Sequence, residues 1–287
     1  MWQDILGKIK EGVLTSFDSR VQQYEEDIRK MDSQRTLPGW NYCTFFILKE
    51  GLAQSFEHMF LLEDSLIQYD ELEASFFQLL RDKQLTWFTR TGGTSPGDDS
   101  ANILDLSHKD YRTLILANNI SLFDFRVYLF ARQCHLLTAM RKYAEICSRA
   151  RDYITTLALT LRSDRERAGI SFIESWMFSA AMTVVEATRK GQRSVALAAA
   201  TGDLLVIART QLDKLGHYFK LIPESVPFEG TFAEVELDDG TVVLEDDFKT
   251  TNDLLKEVIA DEKKFCDLYR VSLSLFASNV GYYVSSA

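Results

Sequence analysis

The sequence predicts an all-α protein, built as an α-solenoid of antiparallel helical hairpins with one acidic loop or small β-hairpin excursion. Apolar residues recur at three- and four-residue spacing through most of the chain, which indicates amphipathic helices. The 287 residues include only four prolines, and 46% of them are hydrophobic. A chain of this length and composition buries a sizeable core. We therefore expect residues 1–287 to form a single helical-repeat segment of a longer protein.

Three helices are predicted in the first part of the chain. Apolar residues between Trp2 and Phe17 form one stripe, which we expect to pack on the next helix rather than to enter a membrane. A break at Pro38 and Gly39 is followed by amphipathic patterns over residues 42–60 and 66–80. Two such helices joined by a short turn form a hairpin that resembles a tetratricopeptide unit, although the diagnostic residues of that motif are absent.

Helix boundaries are clearest in the second half of the chain. Ser121 is followed three residues later by Asp124, and this spacing forms a capping box. Ile120 and Phe125 occupy the two positions of a hydrophobic staple around it. A helix is therefore predicted to begin at Ser121. Further helices are predicted over residues 142–161, 171–190, 193–221 and 252–279.

Residues 89–100 are rich in Gly, Thr, Ser and Asp, and we predict an exposed loop there. Its three glycines suggest a phosphate-binding loop at first sight. The Lys-Ser/Thr pair of a P-loop is missing, however, and Asp98 and Asp99 would repel phosphate. A nucleotide site in this loop is therefore rejected.

The second predicted excursion is an acidic insert at residues 222–249. Its stretch 222–248 holds nine of the acidic residues of the chain and no Lys or Arg. Short apolar alternation within it predicts either a solvated loop or a small β-hairpin. If the insert docks a partner, that partner should be basic. The candidate interaction residues are Glu234, Glu236, Asp238, Asp239, Glu245, Asp246 and Asp247.

Composition excludes several classes of function. The net charge of -10 and the pI near 5.0 argue against a nucleic-acid surface. The N-terminal residues lack a signal core, and no stretch reaches membrane-spanning length without charge, so we expect a cytosolic chain with no direct membrane insertion. The four cysteines, far apart and within apolar helical patterns, are expected to be free buried thiols: Cys43, Cys134, Cys147 and Cys266.

No catalytic, metal or cofactor site is predicted. The four histidines are scattered over separate patterns, and Cys134, His135 and Cys147 lack a fourth ligand at recognisable spacing. Asp124 is explained by capping better than by acid-base chemistry. Arg126 and Arg132 lie in an aromatic-rich helix, where pairing inside the fold is the default and a contact with a partner protein is the alternative.

Three stretches carry a family resemblance: residues 40–50 (WNYCTFFILKE), 63–72 (EDSLIQYDEL) and 121–133 (SLFDFRVYLFARQ). They resemble the large TRAPP II-specific subunit, subunit ten of the transport protein particle. The resemblance spans about residues 40–279, and the family protein is far longer, so it implies an internal helical segment. The glycine- and aspartate-rich loop and the acidic insert match no motif of the family.

The resemblance implies a non-catalytic scaffold segment of a complex that tethers vesicles at the Golgi and supports nucleotide exchange on Rab11-type GTPases. Its implied partners are the other TRAPP subunits and, indirectly, the GTPase, and its implied location is cytoplasmic, peripheral to the trans-Golgi. Exchange chemistry in that family is attributed to the small core subunits, so no catalytic residue is carried over. The alternative is a stand-alone peptide-binding helical repeat unrelated to trafficking.

Overall fold

The structure, a computed structural model, describes residues 2–81, 88, 91–95, 97–162, 172–192 and 194–218. These ranges contain eight α-helices and no β-strand, which confirms the all-α class for this part of the chain. The acidic insert with its alternative β-hairpin, and the helix predicted over residues 252–279, lie outside the described residues. The chain divides into two compact units, one formed by residues 1–90 with 109–120 and the other by residues 91–108 with 121–287.

The first unit is organised around its second helix. That helix, α2, packs against each of the three other helices of the unit. Their bounds are α1 (Trp2–Ser33), α2 (Tyr42–His58), α3 (Leu62–Arg81) and α4 (Tyr111–Leu116).

Helices α2 and α3 form the predicted hairpin. Asn41 caps α2, because its side-chain oxygen accepts hydrogen bonds from the amides of Cys43 at 2.8 Å and Thr44 at 3.3 Å. The Tyr42 hydroxyl crosses the hairpin and donates to the carbonyl oxygen of Leu72 at 2.8 Å. Burial raises the pKa of Tyr42 well above its ordinary value. The largest fully buried side chains of this hairpin are Tyr42, Phe46, Tyr69, Leu72 and Phe76.

Helix α1 runs antiparallel to α2. The Trp40 indole donates to the carbonyl of Met31 near the end of α1, and the Phe17 and Phe56 rings meet at 6.0 Å near the end of α2. The expectation that the N-terminal stripe packs on the next helix holds only from Phe17 onward. Because α2 ends at His58, the residues of α1 that precede Phe17 have no part of α2 beside them and are exposed.

The close approach of α1 to α2 depends on Gly51. A Cβ atom at this position would lie 2.8 Å from the hydroxyl oxygen of Tyr24 and 2.9 Å from two ring carbons of the same side chain. The Tyr24 ring would have to move. We expect Gly51→Ala to be less stable than a matched Gly12→Ala variant by about 1–2 kcal/mol, because overpacking costs about that much.

Gly12→Ala is the control because a Cβ there meets nothing within 4 Å. Gly12→Ala raises the local helix propensity, as Gly51→Ala does by roughly 0.5–1 kcal/mol, but it adds no side-chain contact, so a lower stability of Gly51→Ala reports the contact with Tyr24. Chemical denaturation monitored by circular dichroism measures both. Equal stabilities would show that Tyr24 and α1 accommodate the added methyl group without a loss in the free energy of unfolding.

The described part of the second unit contains four long helices. Helix α6 packs against α5, α7 and α8, and α7 also packs against α8. The bounds are α5 (Leu122–Ala139), α6 (Tyr143–Arg162), α7 (Phe172–Thr188) and α8 (Val195–Tyr218). The predicted helices over residues 142–161, 171–190 and 193–221 thus correspond to α6, α7 and α8, with small differences at their ends.

The predicted start of α5 is confirmed. The Ser121 hydroxyl oxygen accepts the amide of Asp124 at 3.0 Å, and Ser121 has extended backbone angles. Ile120 and Phe125, the staple positions, are both fully buried. The sequence patterns did not predict three other caps: Asn41 at the start of α2, Asp110 at the start of α4 and Ser194 at the start of α8.

Ser121→Ala is expected to lower the free energy of unfolding by about 1 kcal/mol, since the amide of Asp124 loses its acceptor. Urea denaturation followed by circular dichroism measures this change. Ser100→Ala is a suitable control, because Ser100 is exposed and its hydroxyl bonds only to the carbonyl of Gly97 in the structure. An unchanged midpoint for Ser121→Ala would contradict the capping assignment.

An aromatic cluster joins α5, α6 and α7. The Phe130 and Tyr153 rings stack at 4.2 Å with an interplanar angle of 5°. Trp176 meets the edges of Phe123 at 5.8 Å and of Tyr153 at 6.0 Å. The high aromatic content therefore fills space between packed helices in this unit, as the sequence indicated.

Helix α8 is unusually apolar. Among the described residues, its stretch Val195–His217 is the one that is long and apolar enough to cross a membrane by length and composition alone. Core helices of folded domains meet the same criterion, so this is weak evidence for a membrane span. The helix includes Asp203 and Arg209, and it packs against α6 and α7 through residues such as Ala208 and Leu212.

Candidate interaction surfaces

The seven acidic residues predicted to contact a partner lie between residues 234 and 247, outside the described residues. Their role therefore stays a prediction. The structure describes most of the other polar side chains that the sequence analysis named. Most of these side chains contact partners within their own unit, through hydrogen bonds or charged groups.

The described residues of the glycine- and aspartate-rich loop are in part exposed and in part buried. Asp98 and Asp99 are buried, at 2% and 0% exposure, although Thr94 and Ser95 beside them are exposed. One carboxylate oxygen of Asp98 accepts the amides of both Thr94 and Ser95 at 2.8 Å. The imidazole of His108 lies 3.7 Å from the other oxygen. Asp98 thus fixes the conformation of the loop through hydrogen bonds within it.

The same loop is fastened to two helices of its unit. The Thr94 hydroxyl donates to the carboxylate of Asp124 at 2.8 Å, and the Thr91 carbonyl accepts the amide of Phe123 in the first turn of α5. On the other side, the Ser175 hydroxyl of α7 donates to Asp99 at 2.8 Å. Buried carboxylates that are satisfied in this way stabilise a loop conformation. The loop therefore links α5 to α7 through these hydrogen bonds. Its composition did not indicate this role.

Arg126 follows the default interpretation of pairing inside the fold. Its guanidinium carbon lies 5.5 Å from the centre of the Tyr153 ring, and one of its nitrogens is 3.4 Å from the Thr156 hydroxyl. The residue is 4% exposed. The side chain of Arg126, a residue of α5, therefore packs against α6 and is not accessible to a partner protein.

The described cysteines are free and buried, as predicted: Cys43, Cys134 and Cys147. Burial raises the pKa of the Cys43 thiol to about 11 and also raises that of Cys147, so both carry their protons at neutral pH. The Cys147 sulfur bonds to the Thr188 hydroxyl at 3.4 Å. In the described ranges, no group of three His, Cys, Asp or Glu side chains is arranged to hold a metal ion.

The sequence did not predict an ion pair in the first unit whose carboxylate is buried and whose arginine is exposed. Glu50 is fully buried on α2, and the Arg112 guanidinium of α4 lies 3.3 Å from its carboxylate. The Tyr69 hydroxyl of α3 is 3.5 Å from the other carboxylate oxygen. In the amphipathic pattern over residues 42–60, Glu50 stands with the charged residues Lys49 and Glu57, which would place it on the solvent side. Short helix α4, which has no long apolar repeat, packs on α2 and places Arg112 beside the buried Glu50 carboxylate.

Apolar side chains remain exposed at one end of the first unit. Phe60, in the turn after α2, is 86% exposed and has a φ angle of 60°. The larger exposed set lies on α1, where no residue is classed as buried. Its members Trp2, Ile5, Leu6, Ile9, Val13 and Leu14 are all exposed.

Comparison with protein families matches residues 1–35 to the model described as trafficking protein particle complex subunit 10-like, N-terminal. The match coincides with α1 and ends two residues after it.

Curated relatives cover much more of the chain. It is 42% identical over 188 residues, 65% of its length, to trafficking protein particle complex subunit 10 of Dictyostelium discoideum. It is 33% identical over 226 residues, 75% of its length, to the trafficking protein particle complex II-specific subunit 130 homolog of Arabidopsis thaliana. The human subunit 10 is 27% identical over an alignment that covers 96% of the chain.

The chain spans only a small part of these relatives: 13% of the Dictyostelium protein, 18% of the Arabidopsis protein and 23% of the human protein. No solved structure matches it.

Proposed function

Since the chain belongs to the family of the large TRAPP II-specific subunits, we propose that it is a non-catalytic scaffold segment of a TRAPP II-type complex. In this proposal the complex tethers vesicles at the trans-Golgi and supports nucleotide exchange on a Rab11-type GTPase. The segment contacts other subunits of the complex and reaches the GTPase only through them. The observation that carries the proposal is the 42% identity to a named subunit of the trafficking protein particle complex.

The chemistry of the described residues supports a scaffold. Polar groups that an enzyme would keep available are engaged in the fold: Asp98, Asp99 and Asp124 hold a loop, and Glu50 lies against Arg112. The buried thiols of Cys43 and Cys147 are protonated and therefore poor nucleophiles.

The packing pattern supports a proposed α-solenoid. In the second unit, α6 packs on α5 and α7, and α7 packs on α8, so neighbours in sequence are in contact; α6 also packs on α8, the next helix but one. In the first unit, α2 lies between α1 and α3 in the same way. Sequential stacking of this kind is the arrangement that repeat proteins extend into long arms.

The acidic insert at residues 222–249 is the proposed docking element for a basic partner. Its seven candidate residues would bind through exposed charge, and such binding weakens with salt because charges are screened beyond about 8 Å at physiological ionic strength.

The decisive experiment is reconstitution with the other subunits. The 287-residue chain is mixed with a TRAPP assembly that lacks its own large TRAPP II-specific subunit, and co-elution is measured by size-exclusion chromatography. We expect co-elution with at least one subunit, reduced by amide replacements at the seven acidic residues. A stand-alone peptide-binding module would instead elute alone, and that result would overturn the scaffold proposal.

An exchange assay tests the non-catalytic part. Release of a fluorescent guanine nucleotide from a Rab11-type GTPase should be unchanged by the chain alone and accelerated by the core subunits. Acceleration by the chain in the absence of core subunits would show that it catalyses exchange itself.

A further inference from the structure

Helix α1 extends well beyond the helix on which it packs. Its Phe17 ring lies against Phe56, in the last turn of α2, and the Tyr24 ring lies against Gly51, further inside. Residues 2–13 therefore project past the end of α2 by about 18 Å, at 1.5 Å of rise per residue. An isolated helical stretch of this length is only marginally stable in water, so it needs a partner surface to stay ordered.

The projecting part carries an apolar stripe. Trp2, Leu6, Ile9 and Val13 follow one another at spacings of four, three and four residues, which places them on one face of the helix. Their exposures are 75%, 62%, 57% and 50%. Large apolar side chains that line one helix face at this exposure mark an interaction surface.

The stripe continues an interface that already exists. Toward the end of α1, Phe17, Val21, Tyr24, Ile28 and Met31 recur at similar spacing and are the less exposed residues of the helix. The same face of α1 that packs on α2 from Phe17 onward is thus uncovered before it. A second protein surface placed beside residues 2–14 would extend the first.

The family match indicates what that surface is. The model of the N-terminal region of the subunit 10-like family matches residues 1–35, and α1 occupies residues 2–33. The matched piece is a single helix, and one helix cannot bury its own apolar face. The match therefore favours the rest of that N-terminal region as the source of the complementary apolar surface.

We propose that the stripe of Trp2, Leu6, Ile9 and Val13 docks onto the remainder of the family's N-terminal module. Helix α1 is then a shared element: its first half completes the core of that module, and its second half packs on α2. A shared helix of this kind joins two domains rigidly, because neither half can rotate without breaking apolar contacts. This goes beyond the scaffold function proposed above, since it names a surface and its occupant.

The test uses the whole chain in two forms, alone and with a module joined ahead of Met1. The module is the N-terminal region of human subunit 10 that the family model covers, up to the residue that aligns with the start of this chain. Amide hydrogen exchange is measured by mass spectrometry over residues 2–14 and 17–33. We expect exchange over residues 2–14 to slow by at least about tenfold when the module is present, because burial suppresses local opening.

Matched variants make the result specific. Ile9→Asp puts a charge into the stripe and should abolish the protection of residues 2–14 while leaving residues 17–33 unchanged. Thr15→Asp adds the same charge on the opposite face of α1 and should leave the protection intact.

Two outcomes would overturn the proposal. One is equal exchange over residues 2–14 with and without the module, provided that the module itself melts cooperatively. The other is protection of these residues already in the chain alone; dependence on concentration would then identify a second copy as the occupant, and independence would identify another segment of the same chain.

Discussion

Trp176→Ala is expected to lower the free energy of unfolding of the second unit by about 3–5 kcal/mol, the usual cost of removing a large buried aromatic side chain. Trp176 is fully buried on α7 and contacts the rings of Phe123 on α5 and Tyr153 on α6. The substitution removes contacts with two helices and leaves a cavity. A loss of this size is a large fraction of the stability of an ordinary domain.

The matched control is Trp2→Ala, which removes the same side chain from an exposed position on α1. It should change stability by less than about 0.5 kcal/mol in the chain alone. Guanidinium denaturation followed by circular dichroism measures both variants. A small effect of Trp176→Ala would show that the aromatic cluster is loosely packed and that the helices of this unit are held by other contacts.

Asp98→Ala is expected to cost roughly 2–3 kcal/mol, because a buried carboxylate that accepts two amides is replaced by a methyl group. The amides of Thr94 and Ser95 lose their acceptor, and the loop that clamps α5 to α7 loses its internal tie. Thermal unfolding and exchange of the loop amides are the measurements. Asp98→Asn keeps an acceptor oxygen and should recover part of the loss.

Asp105→Ala is the matched control within the same segment. Asp105 accepts the amide and the hydroxyl of Ser107 in a similar local turn, and these bonds lower its pKa, but Asp105 is only partly buried, whereas Asp98 is fully buried. Water replaces such bonds readily, so this variant should change the melting temperature little. If both aspartate variants behave alike, burial of Asp98 contributes nothing to the stability of the loop.

Helix existence and helix starts were predictable because their signals are local. Ser121 and Asp124 fixed the start of α5 three residues apart, and the apolar repeat over residues 42–60 anticipated α2. The cap at Ser194 was not predicted because the helix was expected to begin at residue 193, which places Ser194 inside it. Local signals therefore suffice for the long helices, and errors arise where several signals overlap.

Burial of polar residues was not predictable in the same way. Glu50 and Asp99 each lie in a segment that looks solvated, and each is buried by a partner distant in sequence, Arg112 in one case and Ser175 in the other. Periodicity describes one helix at a time and does not reveal which element will cover it. The first half of α1 shows the opposite error. Its apolar stripe predicted packing on the next helix, but α2 is too short to cover it, and the stripe is exposed.

The apolarity of α8 bears on how the chain is made. Among the described helices, α8 packs on α6 and α7, which both precede it in sequence, so during synthesis they leave the ribosome first. Their apolar surfaces are then available when α8 emerges, and only short loops have to close. A chain translated in the opposite order would expose α8 to chaperones and membranes before any partner existed; the natural order gives this helix a place to pack from the moment it appears.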